Sequence, residues 1–497
     1  MSASKQSPEL SRAAEVRRDA PSASQSSGLR RDLGALESYA VLIGILIGAG
    51  IFKVTGLAWE LTGPSVIFGY LVLAPMVLAT SVAYSVYLST PLGRLPGGEY
   101  THISRTFGGY GLAFVGVWLK IISYVGALAY LAIAFAEYVI ELSGGLLRPE
   151  MHRTILAVAS LFLFFVAHAL GVRWFGRVQV AMCTLMVFSI LVLVIPGLFA
   201  IAPENYRPFF THGFGGFAAS LPPLFFAYAG FESLSQAAGE VKDSTRQLPR
   251  IFLRGISITA LIFLGMSVVA FGVLPGSRLR LSSAPMVEVS SVYLPFGASW
   301  FVGLGAVMAI TTSLNATMLV PSRLGIVLSR DRLAPRWLGR IEPRSGTPIL
   351  GLTLTMAAAL LLVLSGQISV ALNIAVFALV LLYGLHSLSL ILLPRMNPEL
   401  FRSVTVRIPR GVQRTAAIFS ILSMSGLVLV QVIQDLRTLQ RLGIRERIAE
   451  GSVTTLELSL MWAVVGALIY WFGRRQGARE AHDYDASLRA IESEPGA

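Results

Sequence analysis

The sequence predicts an all-α integral membrane protein with twelve transmembrane helices, and three observations carry that reading. The 497 residues are 54% hydrophobic and only 13% charged. Soluble globular domains run at about 45–50% and about 25%, so these charges cannot cover a water-facing surface of this size. Apolar stretches close to the roughly 20 residues that cross about 30 Å of hydrocarbon recur along the chain. Lys and Arg, finally, alternate in abundance from one side of these stretches to the other. A mean hydropathy of +0.69 agrees, and the composition excludes a soluble enzyme, a disordered chain and a fibrous one.

The stretches lie at residues 36–60, 65–90, 108–142, 154–171, 176–202, 217–238, 251–275, 298–328, 349–366, 369–394, 413–435 and 456–473. An even number puts both termini on one side. With the N-terminus cytosolic, the inner segments hold 28 Lys and Arg when Arg177, Arg254 and Arg414, at the inner edges of their spans, are counted with them, and the outer loops hold 9, while Lys53, Lys120 and Arg323 fall deeper within spans. The net charge of +13 is therefore an orientation signal for a multi-pass protein of the cytoplasmic membrane, and a nucleic-acid partner is not expected. One outer loop, 436–455, runs against the trend with Arg437, Arg441, Arg445 and Arg447. Residues 1–35, rich in Ser, Ala and Arg, read as a disordered cytosolic tail without a cleaved signal peptide. Residues 474–497 read as a second cytosolic tail. The single cysteine, Cys183, permits no intrachain disulfide.

Within the first span, Gly44, Gly48 and Gly50 occur in seven residues, each weakening a helix by about 1 kcal/mol relative to Ala. Close helix packing by small residues is one explanation. A discontinuous helix is the sharper one: amides at Gly48, Ala49 and Gly50 would face a ligand anion, with the positive end of the following half-helix behind them. Span six, with Phe225-Phe226-Ala227-Tyr228-Ala229-Gly230-Phe231-Glu232, offers a second interruption. Glu232 is the one carboxylate expected deep inside a span, either as a functional group or as a brace for the opened backbone. Spans one and six each begin a set of five, and paired broken helices at matching positions point to an inverted-repeat transporter with its substrate site between the breaks. Lys120 should lie about 18 Å along span three, counting from Gly108. It reads as a substitute cation, a contact to an acidic ligand, or a snorkelling or Glu-paired lysine. His168 and His386 fall in or near spans without the spacing of a metal site, so neither metal nor cofactor is expected.

At these residues the chain resembles the amino acid-polyamine-organocation transporter superfamily. The glycine-rich first span, Leu95-Pro96-Gly97-Gly98-Glu99-Tyr100, the Phe225–Glu232 run with Ala238-Gly239-Glu240-Val241-Lys242-Asp243, and Pro321-Ser322-Arg323 leading through Asp331 and Arg332 to Gly346-Thr347-Pro348 all match its pattern, in order, over about residues 34–435. The resemblance implies the LeuT-like fold: an inverted-repeat core over 36–394, built from repeats 36–202 and 217–394, followed by two additional C-terminal helices within 413–473. It places a substrate carboxylate on Gly48, Ala49 and Gly50, with the flanking Ile47 and Ile51 among the substrate-binding residues. The amino group falls on the backbone around Phe226, Ala227, Ala229 and Gly230, with Phe226 as the aromatic that closes over substrate.

One departure concerns coupling. In many proton-coupled members a span-five lysine follows, by fifteen residues, the glycine that is Gly171 here, and this chain has Met186 in its place. Coupling by that lysine is thus unsupported, which points to exchange, facilitated uptake or another device using H+ or Na+. Thr311, Thr312 and Ser313 in span eight are candidates to hold sodium, or hydroxyls that back-bond to their own helix. The expected function is secondary transport of neutral, apolar amino acids through the bilayer. A proton- or sodium-coupled permease for cationic amino acids or polyamines is the alternative. A transporter-like sensor is the competitor from another class, although tails of about 35 and 24 residues are short for a signalling domain. An intramembrane enzyme would need a cluster of nucleophile, base or metal ligands, and the spans contain none.

Overall fold

The computed structural model describes residues 31–282, 284–366, 368–441 and 454–479. Most of both predicted tails, and Arg445 and Arg447, lie outside these described residues. The chain runs through α1 (Ala35–Ala49), α2 (Thr55–Thr62), α3 (Val66–Leu88), α4 (Glu99–Phe107), α5 (Gly111–Leu142), α6 (Pro149–Ala169), α7 (Val172–Gly197), α8 (Gly213–Phe225), α9 (Ser233–Gln236), α10 (Ser244–Val273), α11 (Gly276–Leu281), α12 (Pro285–Ser291), α13 (Phe296–Arg330), α14 (Ile349–Ser365), α15 (Ile368–Met396), α16 (Pro398–Arg402), α17 (Arg410–Arg441) and α18 (Thr455–Arg479). Local chemistry sets several starts: Glu37 Oε2 accepts from the Gly34 amide at 2.9 Å at the head of α1, and a proline opens α6, α12 and α16.

Among the described residues eleven helices are long and apolar enough to cross a membrane, which makes this a multi-pass membrane protein. The expected ninth span is α14, with 17 residues. At 1.5 Å per residue it reaches roughly 26 Å, short of the hydrocarbon thickness of about 30 Å. The helices differ in what they face. The most apolar window of α13 is 89% buried and that of α18 only 6%, so α13 is the central post and α18 lies on the outside. Around α13 pack α1, α5 and α7, while α15 lies against α5 and α17, and α3 against α10.

The sequence reading left α4 between spans, and the structure turns it inward. Its polar residues hide it from a hydropathy window, yet all of Glu99 to Thr106 is buried. Their partners account for this: Tyr100 donates to Asp331 Oδ2 at 2.7 Å, Arg105 stands 3.6 Å from the same carboxylate, and His102 hydrogen-bonds His386 at 3.0 Å. Nearby, Arg323 meets Glu240 at 3.0 Å, both 1% exposed. Burial raises the Glu240 carboxyl above the usual range, with Arg323 opposing that rise. Leu33 pairs with this end too, donating to Glu240 O at 3.0 Å and accepting from the Lys242 amide at 2.9 Å. The motif residues Glu240, Arg323 and Asp331 thus tie one end of the bundle together through buried, hydrogen-bonded charge.

Candidate functional site

The first span departs from helical geometry at Gly48, where φ is −41° and ψ −141°. It continues as a π-helical turn, Gly50–Val54, before α2. α13 braces this break. Ser313 Oγ lies 2.9 Å from both Gly44 O and Ile45 O, and Thr312 Oγ1 is 2.9 Å from Gly44 O. A Cβ on Gly48 would stand 1.8 Å from Ser313 Oγ, so glycine is what lets the two helices approach this closely. Thr311 instead bonds back to Val307 O and Met308 O of its own helix.

Span six breaks one turn after α8. The turn Phe226–Tyr228 is 3₁₀, Ala229 is extended (φ −75°, ψ 151°), and Gly230 takes φ +96°, a conformation that only glycine adopts without strain. The Gly230 amide donates to Tyr383 Oη at 3.3 Å. The two breaks touch: a Cβ on Gly50 would lie 2.3 Å from Ala227 Cα. Beside this contact is a pocket of about 30 Å³ bordered by Gly50, Phe226, Ala229, Gly230, Tyr124 and Ser123. That is room for water but not for an amino acid, so the site is contracted in this conformation.

The expected site residues take different places around this pocket. Ile45 and Leu46 border the pocket, whereas Ile47 and Ile51 are fully buried and do not line it, because successive helical side chains point about 100° apart. Gly48 and Ala227 form the contact surfaces of the breaks and are not pocket lining; the Ala49 side chain lies outside the described set. Tyr130 was missed. Its ring stands edge-on to Phe226 at 5.2 Å and borders a second cavity of about 840 Å³ that also meets Glu137, Arg437 and Arg441. The Tyr130–Phe226 pair therefore separates the small pocket from the wide one. An aromatic in the alanine-rich stretch 127–134 was the available sequence signal.

Glu232 is not the sole deep carboxylate. Lys120 Nζ donates to Glu99 Oε1 and Oε2 at 3.0 and 2.9 Å and stands 3.7 Å from Glu232 Oε1. All three side chains are at most 2% exposed. Gln236 donates to Glu99 at 2.7 Å, Tyr124 to Glu232 Oε1 at 2.7 Å, and Tyr383 to Glu232 Oε2. Lys120 is thus glutamate-paired and does not snorkel. Two links join this network to the pocket: Tyr124, which lines it, and the lining residue Gly230, whose amide donates to Tyr383.

Met186 is fully buried on α7. The α7 group that reaches the first span is Gln179, whose amide donates at 3.2 Å to both Ala40 O and Thr312 O and whose Oε1 accepts from Asn315 at 2.8 Å. A lone glutamine between Val178 and Val180 was its sequence signal. His168 Nε2 bonds Asn315 O and His386 Nε2 bonds His102 Nδ1, and among the described residues no group of His, Cys, Asp or Glu is placed to hold a metal ion.

The family model described as amino acid permease matches residues 38–483. Curated relatives include the branched-chain amino acid permease BcaP of Bacillus subtilis, 26% identical over 92% of this chain and 96% of its own length. The chloroplastic cationic amino acid transporter 9 of Arabidopsis thaliana is 30% identical over 63% and 58%. The methylthioribose transporter of Bacillus subtilis is 26% identical over 77% and 85%.

Proposed function

The chain belongs to the amino acid permease family, a family of transporters and not of enzymes, and from that premise we propose that it carries neutral, apolar amino acids across the cytoplasmic membrane by alternating access, as an exchanger or uniporter. The observation that carries this reading is the meeting of the two helix breaks, Gly50 against Ala227, beside a pocket whose only polar side chains are hydroxyls. Backbone groups at the breaks would receive the carboxylate and amino group, with Phe226 and Tyr130 closing above. The twelve spans of the sequence reading, α14 included, would form two inverted repeats and two added helices, with both termini cytosolic.

Substrate charge follows from the buried carboxylates. A lysine-like side chain or a polyamine needs an anionic partner inside the site. Glu99 is spent on Lys120 and Gln236, and Glu232 on Tyr124 and Tyr383. In a binding screen on purified protein, leucine, isoleucine or valine should compete at least about tenfold better than arginine, lysine, putrescine or methylthioribose. One of the latter four as tightest ligand overturns the assignment, and it would favour the cationic or the methylthioribose relative instead.

Coupling follows from α7. Where the resemblance puts the titrating lysine of many proton-coupled members this chain has the thioether of Met186, and the first-span carbonyls are met by Gln179, Thr312 and Ser313, none of which exchanges a proton near neutral pH. A proton or sodium gradient imposed on proteoliposomes should concentrate no substrate, while preloaded vesicles should exchange it. Gradient-driven accumulation would sink this reading and direct attention to Glu99, Lys120 and Glu232.

A further inference from the structure

At the end of the molecule that carries Leu33, four arginines from three separate stretches converge on one open cavity of about 930 Å³. Arg94 follows α3, Arg246 and Arg250 lie in the first two turns of α10, and Arg407 stands between α16 and α17. No acidic side chain lines this cavity, and among the described residues none of the four arginines joins an ion pair. Elsewhere at the same end the pattern is the opposite, with Arg105 set against Asp331 and Arg323 against Glu240. The positive-inside rule is met by arginine anywhere in these loops; it does not require four to face one space.

The walls are held in place. Thr405 fastens the 403–409 loop to the end of α3, its amide donating to Ser89 Oγ at 3.3 Å and its hydroxyl to Ser89 O at 2.8 Å. Guanidinium forks match phosphate oxygens in geometry and charge, and converging like charges repel until an anion joins them. Leu253 and Ile408 border the same cavity and offer an apolar continuation.

We propose that this cavity binds a phosphate-bearing anion. A headgroup of an anionic phospholipid and a soluble phosphate share that chemistry; basic pockets between helices on the cytoplasmic side are known to suit the former. The test uses the full-length protein purified in detergent, with thermal melting followed against cardiolipin, phosphatidylglycerol, phosphatidylcholine and inorganic pyrophosphate. The anionic lipids should raise the melting temperature, phosphatidylcholine should not, and salt at about 0.5 M should remove the effect. The variant Arg246→Gln/Arg250→Gln/Arg407→Gln should need at least about tenfold more anion for half the shift, and lysine at these three positions should restore part of it. Arg437→Gln/Arg441→Gln, at the other cavity, should behave as wild type. An equal, saturable shift with pyrophosphate identifies a soluble anion as the source. No shift with any anion, or wild-type affinity in the triple variant, overturns the proposal. Should the triple variant fail to fold, a wild-type response that is unaffected by salt, or equal for phosphatidylcholine, overturns it as well.

Discussion

Lys120→Met is expected to destabilise the protein by about 3–5 kcal/mol, the cost of removing one partner from a buried ion pair. Glu99 would lose both of its contacts to Nζ, at 2.9 and 3.0 Å, and Glu232 the cation 3.7 Å away. Bulk solvent cannot compensate, since the two carboxylates are 2% and 0% exposed. The companion variant Lys120→Met/Glu99→Gln should recover most of the loss, because a neutral amide at residue 99 leaves no unpaired charge there, and Tyr124 and Tyr383 still serve Glu232. Unfolding of both variants in detergent checks this. If Lys120→Met melts with the wild type, the triad does not hold the bundle together. If the double variant is no better than the single one, Glu99 is not what makes Lys120 necessary. The double variant also tests function, since exchange that survives in it would show that the cation is structural.

Gly50→Ala is expected to lower uptake by about 100-fold or more, the scale on which a displacement of 1 Å disables a positioned site, while the protein still reaches the membrane. A methyl here would lie 2.3 Å from Ala227 Cα and 2.5 Å from its Cβ. A clash with backbone cannot be relieved by a rotamer change, so the contact between the two breaks would not form. Ala227→Gly removes the Cβ encounter but not the one with Cα, and the pair should therefore stay inactive. Gly411→Ala, where an added Cβ meets nothing within 4 Å, is the control and should transport normally. Wild-type uptake by Gly50→Ala at normal surface abundance would mean that the breaks need not touch during the cycle.

What could be read directly from the chain was whatever is written locally. In hydrocarbon every backbone group has to be satisfied within its own segment, so a run of about 20 apolar residues already implies a helix. A glycine cluster such as 44–50 already implies where that helix yields, because the weakening is a property of the residue itself. Membrane class, the helix positions, and the interruptions at Gly48 and at Ala229–Gly230 followed in this way. Even the short α14, Ile349–Ser365, ends within one residue of the stretch 349–366 read from hydropathy.

Only the tertiary structure decided the partners. Glu99 lies 21 residues from Lys120 in sequence and Gln236 137 residues from Glu99, and nothing in an isolated stretch of α4 says that its carboxylate faces inward. Gln179, Tyr130 and the arginines at 94, 246, 250 and 407 are likewise ordinary polar or aromatic residues until packing brings other segments against them. A side chain's position along its helix is set by its own sequence, but its burial, and the charge or hydroxyl it meets there, are set by helices far away in the chain. Electrostatic and packing energies depend on those distances, and the distances come into being only when the bundle closes.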